Sequence, residues 1–238
     1  MSPARQGWIG MALAAAIIGA WTALHLYAVF FFDWRAPFAA PLLMILLTWL
    51  SVGMYIVAHD AMHGSLWPAR RSAGDMVGRL ALLLYAGFSF ARIKPKHDLH
   101  HREPGSARDP DFALAHASRA PRWYLQFLTT YFGRRELAVM ALRVTAYLLL
   151  GASVWNILLF FAVPGILSSV QLFYFGTFLP HRHIEGRGDA QFADHHRARS
   201  NEFSYLLSLL TCFHFGYHHE HHLQPGTPWW RLPGVRPR

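Results

Sequence analysis

Residues 38–63 read FAAPLLMILLTWLSVGMYIVAHDAMH, and this stretch decides the class of the protein. From Phe38 to Ala58 it carries no charged side chain. As helix, about 20 apolar residues cross the roughly 30 Å hydrocarbon core of a bilayer. The run then passes without a break into His59, Asp60 and His63. Residues four apart on a helix share a face, so the two imidazoles are placed to grip one metal where hydrocarbon gives way to water.

Working outward, three more stretches have bilayer length: 9–32, 136–153 and 155–179. The first span, 9–32, turns near Asp33–Pro37 into 38–58, and the last two are joined near Gly151–Asn156, giving two helical hairpins. The apolar runs 76–90, 121–132 and 203–213 are too short to cross and belong at the interface or packed on the bundle. The sequence therefore predicts an all-α integral membrane protein with four transmembrane helices, short interfacial helices and a histidine-rich cap. Residues 1–238 form one domain, since no polar linker or internal repeat divides them. Composition agrees, with 53% hydrophobic and 15% charged residues against about 25% charged in a soluble domain. Arg5 followed by the apolar run Ile9–Phe32 imitates a signal peptide, but the run is too long and reads as a retained anchor. The single cysteine, Cys212, excludes a disulfide framework or a thiolate metal site.

The net charge of +9 admits nucleic-acid binding in principle. Its distribution argues for a membrane bias instead. With paired spans, residues 59–135 and 180–238 share the side of the N-terminus, and that side holds 20 of the 22 Lys and Arg, Arg35 and Arg143 being the exceptions. Positive loops face the cytoplasm, so the histidine cap and both termini are expected on the cytoplasmic side of the cell's inner membrane.

The chain has 16 histidines, of which only His25 lies inside a span. HDLHH places His97, His100 and His101 at i, i+3 and i+4, and HHEHH repeats that pattern with His218, His221 and His222. His219 is turned about 100° per residue off the face of its neighbours. One HxxxH pair is often a surface coincidence, and histidine-rich tracts bind metals nonspecifically. Three clusters at helical spacing, each beside an apolar segment and all on one side, go beyond that. Eight histidines in these patterns, with His181 at the end of the fourth span, exceed one coordination sphere and fit two ions. Imidazole shells suit zinc, copper, iron or nickel; open positions with nitrogen ligands suit oxygen activation by iron, and two zincs stay open on residues alone. Asp60, Asp98 and Glu220 lie within the boxes, either as acceptors for ligand ring N–H groups or as ordinary solvated acids. His25, His116, His183 and His195 read as packing or loop residues. Gln171, polar within a span, faces the bundle interior or bonds a neighbouring helix, and PWWRLP near the C-terminus reads as an interfacial anchor.

These boxes resemble the membrane fatty acid desaturase and hydroxylase superfamily, with its HxxxH, HxxHH and late HxxHH set around two hairpins. The narrower likeness is to bacterial beta-carotene ketolases. It covers nearly the whole chain and rests on TWLSVGMYIVAHDAMHGS (48–65), HHREPGSARDPDF (100–112), RWYLQFLTTYFGRRE (122–136), SSVQLFYFGTFLPHR (168–182) and SLLTCFHFGYHHEHHLQPGTPWWRLP (208–233). The resemblance implies a di-iron oxygenase that uses O2 and reduced ferredoxin. Such an enzyme oxidises the allylic ring carbon 4 of beta-carotene to a ketone, through two hydroxylations and loss of water at each ring, giving echinenone and then canthaxanthin. Carried over by motif, the iron ligands are His59, His63, His97, His100, His101, His181, His218, His221 and His222, with His196 and His214 in family-like positions of less defined role. Substrate would enter from the bilayer among membrane lipids, with Phe175, Phe178, Phe213 and Tyr217 as candidate channel lining. Rival readings are a carotenoid hydroxylase, a fatty acid desaturase or an alkane hydroxylase on the same scaffold. Outside that class stand a histidine-lined metal transporter, whose ligands belong near mid-membrane, and a nonenzymatic scaffold. Reporter fusions at residue 110 and at the C-terminus should both read cytoplasmic; an external location for either defeats the four-span topology.

Overall fold

The computed structural model describes residues 1–184 and 191–235, and among these every regular element is helical. Three helices are long and apolar enough to cross a bilayer: α1 (Pro3–Phe30), α2 (Pro37–His63) and α7 (Val154–His181). Between α2 and α7 lie α3 (Arg71–Ala86), α4 (Phe90–Arg102), α5 (Ala120–Tyr131) and α6 (Arg134–Leu149); α8 (Tyr205–Cys212) and α9 (His218–Leu223) follow. Of the apolar window of α2, 56% is buried, against 28% in α1 and 33% in α7, so α2 is the axis and the others turn a face to lipid. That lipid face shows as exposed Phe38, Leu42 and Ile45 on α2, and Leu142 and Leu149 on α6. Exposed Trp8 stands near one end of α1, and Trp34 and Trp155 at the other. Trp8 and Trp34 are separated by roughly 35–40 Å of helix, the spacing of two interfacial aromatic belts.

The start of α1 packs against the histidine-bearing end of α2. Gln6 Nε2 donates to the Ser65 carbonyl at 2.8 Å, and Arg231 Nη1 to Gln6 Oε1 at 3.4 Å. The N-terminus, the first box and the 229–231 segment thus share one end of the bundle. Arg187, Arg236 and Arg238, counted in the basic bias, lie outside the described residues.

Depth is where the structure departs from the sequence reading. The run 76–90 takes the second of its two expected places, packed on the bundle: α3 lies along α2, with Gly78 so close that a Cβ would meet Ala61 Cβ at 2.7 Å. α3 then bends by 102° into α4, at Gly87 with φ 68°. Tyr85 Oη lies 3.1 Å from Ser168 Oγ, midway along α7, so the bend lies within the bundle, as a broken span or re-entrant hairpin. The expected span 136–153 is α6, 16 residues or about 24 Å of helix, shorter than the three long helices. Arg143, one of the two exceptions to the basic bias, donates to the carbonyls of Leu83 and Leu84, each at 2.6 Å. It thereby satisfies the open C-terminus of α3. Gln171 does the same for α8, donating to the carbonyls of Leu210 (3.3 Å) and Thr211 (2.5 Å). Run length reports how much chain is apolar, not whether the chain crosses or folds back, and that difference was invisible in the sequence.

Close approach of α1 to the 64–67 turn yields a test. A Cβ on Gly10 would sit 2.4 Å from the Leu66 carbonyl oxygen, whereas one on Gly19 would meet nothing within 4 Å. Gly10→Ala should therefore cost about 1–3 kcal/mol and lower the thermal midpoint in detergent, while Gly19→Ala should leave it unchanged or raised. Equal midpoints would show that α1 does not dock as described.

Candidate metal centre

α2 continues as helix through His59 and His63 and stops at Gly64, whose φ of 69° lets its N–H turn back to the Ala61 carbonyl at 3.0 Å. α4 carries His97, His100 and His101 in its last turns, and α7 ends on His181. Left-handed turns at Phe213 (φ 48°) and His214 (φ 62°) then aim α9 back at the same point. The structure sorts nine histidines into two adjoining groups: His59, His63, His97, His101 and His221 in one, and His100, His181, His218 and His222 in the other. Within each group one ligand atom per residue lies within 4.8 Å of all the others. The boxes do not each serve one site. On α4 the i, i+4 pair His97 and His101 joins the first group while His100 joins the second; on α9 the pair His218 and His222 joins the second while His221 joins the first.

The donor set fits metal ions. His63 and His97 bring Nε2 atoms to 2.7 Å, His101 and His221 to 3.0 Å, His181 and His218 to 2.9 Å, and His218 and His222 to 3.1 Å. Bonds of about 2.1 Å to one cation put adjacent nitrogens about 3 Å apart. His59 is buried with neither ring nitrogen hydrogen-bonded among the described residues. Burial first, and then the neighbouring imidazoles, hold His218, His221 and His222 well below the usual histidine range, in the neutral form that binds metal.

Outer partners orient the ligands. His181 Nδ1 donates to the Arg197 carbonyl at 2.7 Å, leaving Nε2 for the cluster. His100 Nδ1 donates to Asp109, 3.0 Å from each carboxylate oxygen. Asp109 also takes the backbone N–H of Gly105 and of Asp111, each at 2.8 Å. Burial works to raise the Asp109 carboxyl, but His100 and those N–H groups outweigh it and hold the group below its usual range. At Asp111, with fewer such donors, burial prevails and lifts the carboxyl to about 6. Both aspartates escaped the sequence reading. The signal was present in HHREPGSARDPDF, but an acid eight or more residues outside a box has no helical spacing that ties it to one.

The three acids inside the boxes behave differently. Asp60 accepts the Trp229 backbone N–H at 3.2 Å and lies 3.9 Å from His59 Nδ1, beyond hydrogen bonding. Asp98 pairs with Lys94 at 2.7 Å on a partly exposed helix face, away from the clusters. Glu220 takes the Ser200 hydroxyl. His219 turns outward to Asp194 at 2.9 Å. His196 stands beside the second group, its ring 6.0 Å from that of His222, and is grouped with Asp194 and His195 instead. His214 is fully buried but outside both groups, its ring 4.5 Å from Tyr205. His25 stacks on Trp21 at 4.5 Å and bonds the Tyr147 hydroxyl at 2.8 Å. His183 lies beside Phe112 and Phe192, and His116 forms part of a short turn.

Both groups open on one cleft, to which His59, His97, His100 and His218 contribute. Its walls are mainly apolar: Phe88, Ile93, Phe127, Leu128, Phe132, Leu172 and Phe215, with Tyr55, Tyr85, Tyr131, Ser169 and Thr177 adding hydroxyls. The expected lining residues are elsewhere. Phe213 stacks on Trp49, Phe178 on Phe173, and Phe175 packs against Phe203, while Tyr217 lies beside His214. They flank the boxes in sequence, but these contacts hold them away from the cleft wall, which takes their neighbours Gly176, Thr177 and Phe215 instead.

Buried histidine clusters at the end of an apolar helical bundle, beside an apolar cleft, define a membrane metal centre of the histidine-box type. The fatty acid desaturase family matches over residues 32–139 and 131–238, and the chain belongs to that family. It is 49% identical over 230 residues to the beta-carotene ketolase of Paracoccus sp. strain PC1, covering 96% of this chain and 92% of that protein. Against the beta-carotene ketolase of Paracoccus sp. strain N81106 it is 50% identical over 226 residues, covering 94% and 90%. A beta-carotene ketolase of Haematococcus lacustris is 36% identical over 254 residues, covering 95% and 78%.

Alanine at His63, His101, His218 or His222 should strip metal from the purified protein and abolish activity while leaving the chain in the membrane. His219→Ala should retain both, as should alanine at His116 or His183. Asp109→Asn should weaken metal retention by roughly 10–100-fold, the usual worth of an outer-shell partner. Metal analysis that reverses the order of His218 and His219 would refute the two-group assignment.

Proposed function

We propose that this chain is a carotenoid 4-ketolase whose two histidine groups each hold an iron ion. The observation that carries the reading is the pair of adjoining imidazole groups opening on a single apolar cleft, in a chain about half identical to two ketolases. When bound, the irons would supply O2 activation and the electron transfers that go with it. The rest falls to the chain. Nine imidazoles provide the ligand set, Asp109 and the Arg197 carbonyl fix His100 and His181, and the apolar walls exclude water and admit a hydrocarbon ring. Each round converts a C4–H to C4–OH, consuming one O2, two electrons and two protons and releasing one water. A second round at the same carbon gives a gem-diol, which loses water to the ketone. The electrons would come from a ferredoxin-like donor, and the carotenoid from the bilayer.

The four-span topology, with cap and termini in the cytoplasm of the inner membrane, belongs to the same proposal. The basic bias and the shared end of α1, α2 and the 229–231 segment support it. A metal transporter is disfavoured because the histidines gather at the ends of the spans rather than along a path through them. Expression in cells that make beta-carotene should convert the pigment to the monoketone and then the diketone, and the purified protein should carry about two irons per chain. Pigment that is only hydroxylated or left unchanged, or activity that follows zinc and not iron, would overturn the reading.

A further inference from the structure

Ketone formation makes a demand that single hydroxylation does not. After the first round carbon 4 carries one hydroxyl and one hydrogen, and the remaining hydrogen must face the metals for the second round. The ring must therefore be held with its new hydroxyl turned to a wall that can bond it. Most of the cleft wall is apolar, and its hydroxyls, from Tyr55, Tyr85, Ser169 and Thr177, are neutral groups. Its one carboxylate is the stronger acceptor: Asp111 lines the cleft beside Tyr131, whose hydroxyl donates to Asp111 Oδ1. Oδ2 lies 3.8 Å from His100 Nδ1, too far to be engaged by it, since that N–H is already given to Asp109. Asp111 is fixed from behind, its N–H bonded to Asp109 at 2.8 Å and its carbonyl taking Trp123 Nε1 at 2.7 Å. Tyr131 is fixed by Lys96, whose ammonium lies 4.9 Å from its ring centre. The result is a rigid acceptor on the cleft wall, next to a histidine of the second group, with one oxygen committed and one available.

We propose that Asp111, held by Tyr131, is the positioning residue for the second oxidation: Asp111 Oδ2 accepts a hydrogen bond from the 4-hydroxyl of the half-oxidised ring and aims the remaining C4–H at the metals. The unsubstituted ring has no donor for this oxygen, so the pair acts on the second round and not on the first. This assignment rests on the ketolase reading and adds to it the group that separates a ketolase from a hydroxylase on the same scaffold. No proton or electron need pass through Asp111, because the hydrogen bond orients the ring and the balance of each round is unchanged.

The test is product ratio, read for the full-length protein in membranes supplied with beta-carotene and, separately, with its 4-hydroxy derivative. Tyr131→Phe and Asp111→Asn should each raise the ratio of 4-hydroxy to 4-keto product by about tenfold, the worth of one hydrogen bond to a charged group. The KM for the 4-hydroxy substrate should rise more than that for beta-carotene. A merely structural role, acting through His100 and metal retention, would depress both rounds together, so iron content is measured on the same samples. An unchanged ratio, with both products falling in step or neither falling, overturns the assignment. Should Asp111→Asn fail to accumulate, Tyr131→Phe decides alone. Wild-type protein that forms no ketone from either substrate would instead sink the ketolase reading itself, a distinct result.

Discussion

Nine imidazoles gathered at the end of an apolar bundle are the constraint on which this architecture depends. Buried polar nitrogens without partners are costly, and neutral histidines packed with Nε2 atoms 2.7–3.1 Å apart cannot all satisfy one another by hydrogen bonding. Each such contact needs one donor, and a neutral ring has only one proton to give, which His181 and His100 already spend on Arg197 and Asp109. A cation shared by each group resolves this conflict, because every inward nitrogen then acts as a ligand. The energetics of the cap are therefore tied to metal, whereas those of the spans are tied to lipid.

The division of labour among helices follows. Long helices can bring two imidazoles to a point only at their ends, as α2 does with His59 and His63 and α7 with His181. The other six come from α4 and α9, which are 13 and 6 residues long and too short to cross alone. α4 rises from the bend at Gly87 and α9 is set by two left-handed turns. Because both helices feed both groups, the separation of the groups is fixed by the rise and rotation of an ordinary helical turn rather than by loop geometry.

Much of this could be read from the chain. Charge-free runs of bilayer length marked α1, α2 and α7, and HxxxH and HxxHH spacings marked eight of the nine histidines that come together, His181 being marked by its place at the end of a span. What resisted reading had physical causes. Which of three adjacent histidines serves which group depends on where a second helix approaches, and spacing along one helix does not hold that information. The depth of α3 and α8 depends on the capping of their C-terminal ends by Arg143 and Gln171, and that of α5 on the Tyr124 hydroxyl meeting Ser169, all side chains remote in sequence. Asp109 and Asp111 lie in a loop, where no periodicity links them to His100. The aromatic residues nearest the boxes were misplaced for the opposite reason: neighbours in sequence point to different sides of a helix, as at Phe175 and Phe178, or are redirected by a left-handed turn, as at Phe213.

The polar residues of the centre grade from inside to outside, and the gradient bears on how the site can work. His59 and His218 are sealed from water, His100 is held by a carboxylate that backbone N–H groups keep ionised, and Asp111 sits at the cleft wall, where burial favours its neutral form more strongly. Two carboxylates two residues apart thus differ in charge affinity because one has collected backbone donors and the other a phenol. The first is suited to holding a ligand ring still, a role that needs a permanent partner. The second keeps an oxygen toward the space where a hydrocarbon ring would lie. In a cleft whose walls are mainly apolar and whose other polar groups are neutral hydroxyls, a hydroxyl newly formed on that ring finds its strongest acceptor in the one carboxylate, and that difference in strength lets one acceptor dictate orientation. A wetter or more polar cleft would offer the hydroxyl many bonds and fix none of them.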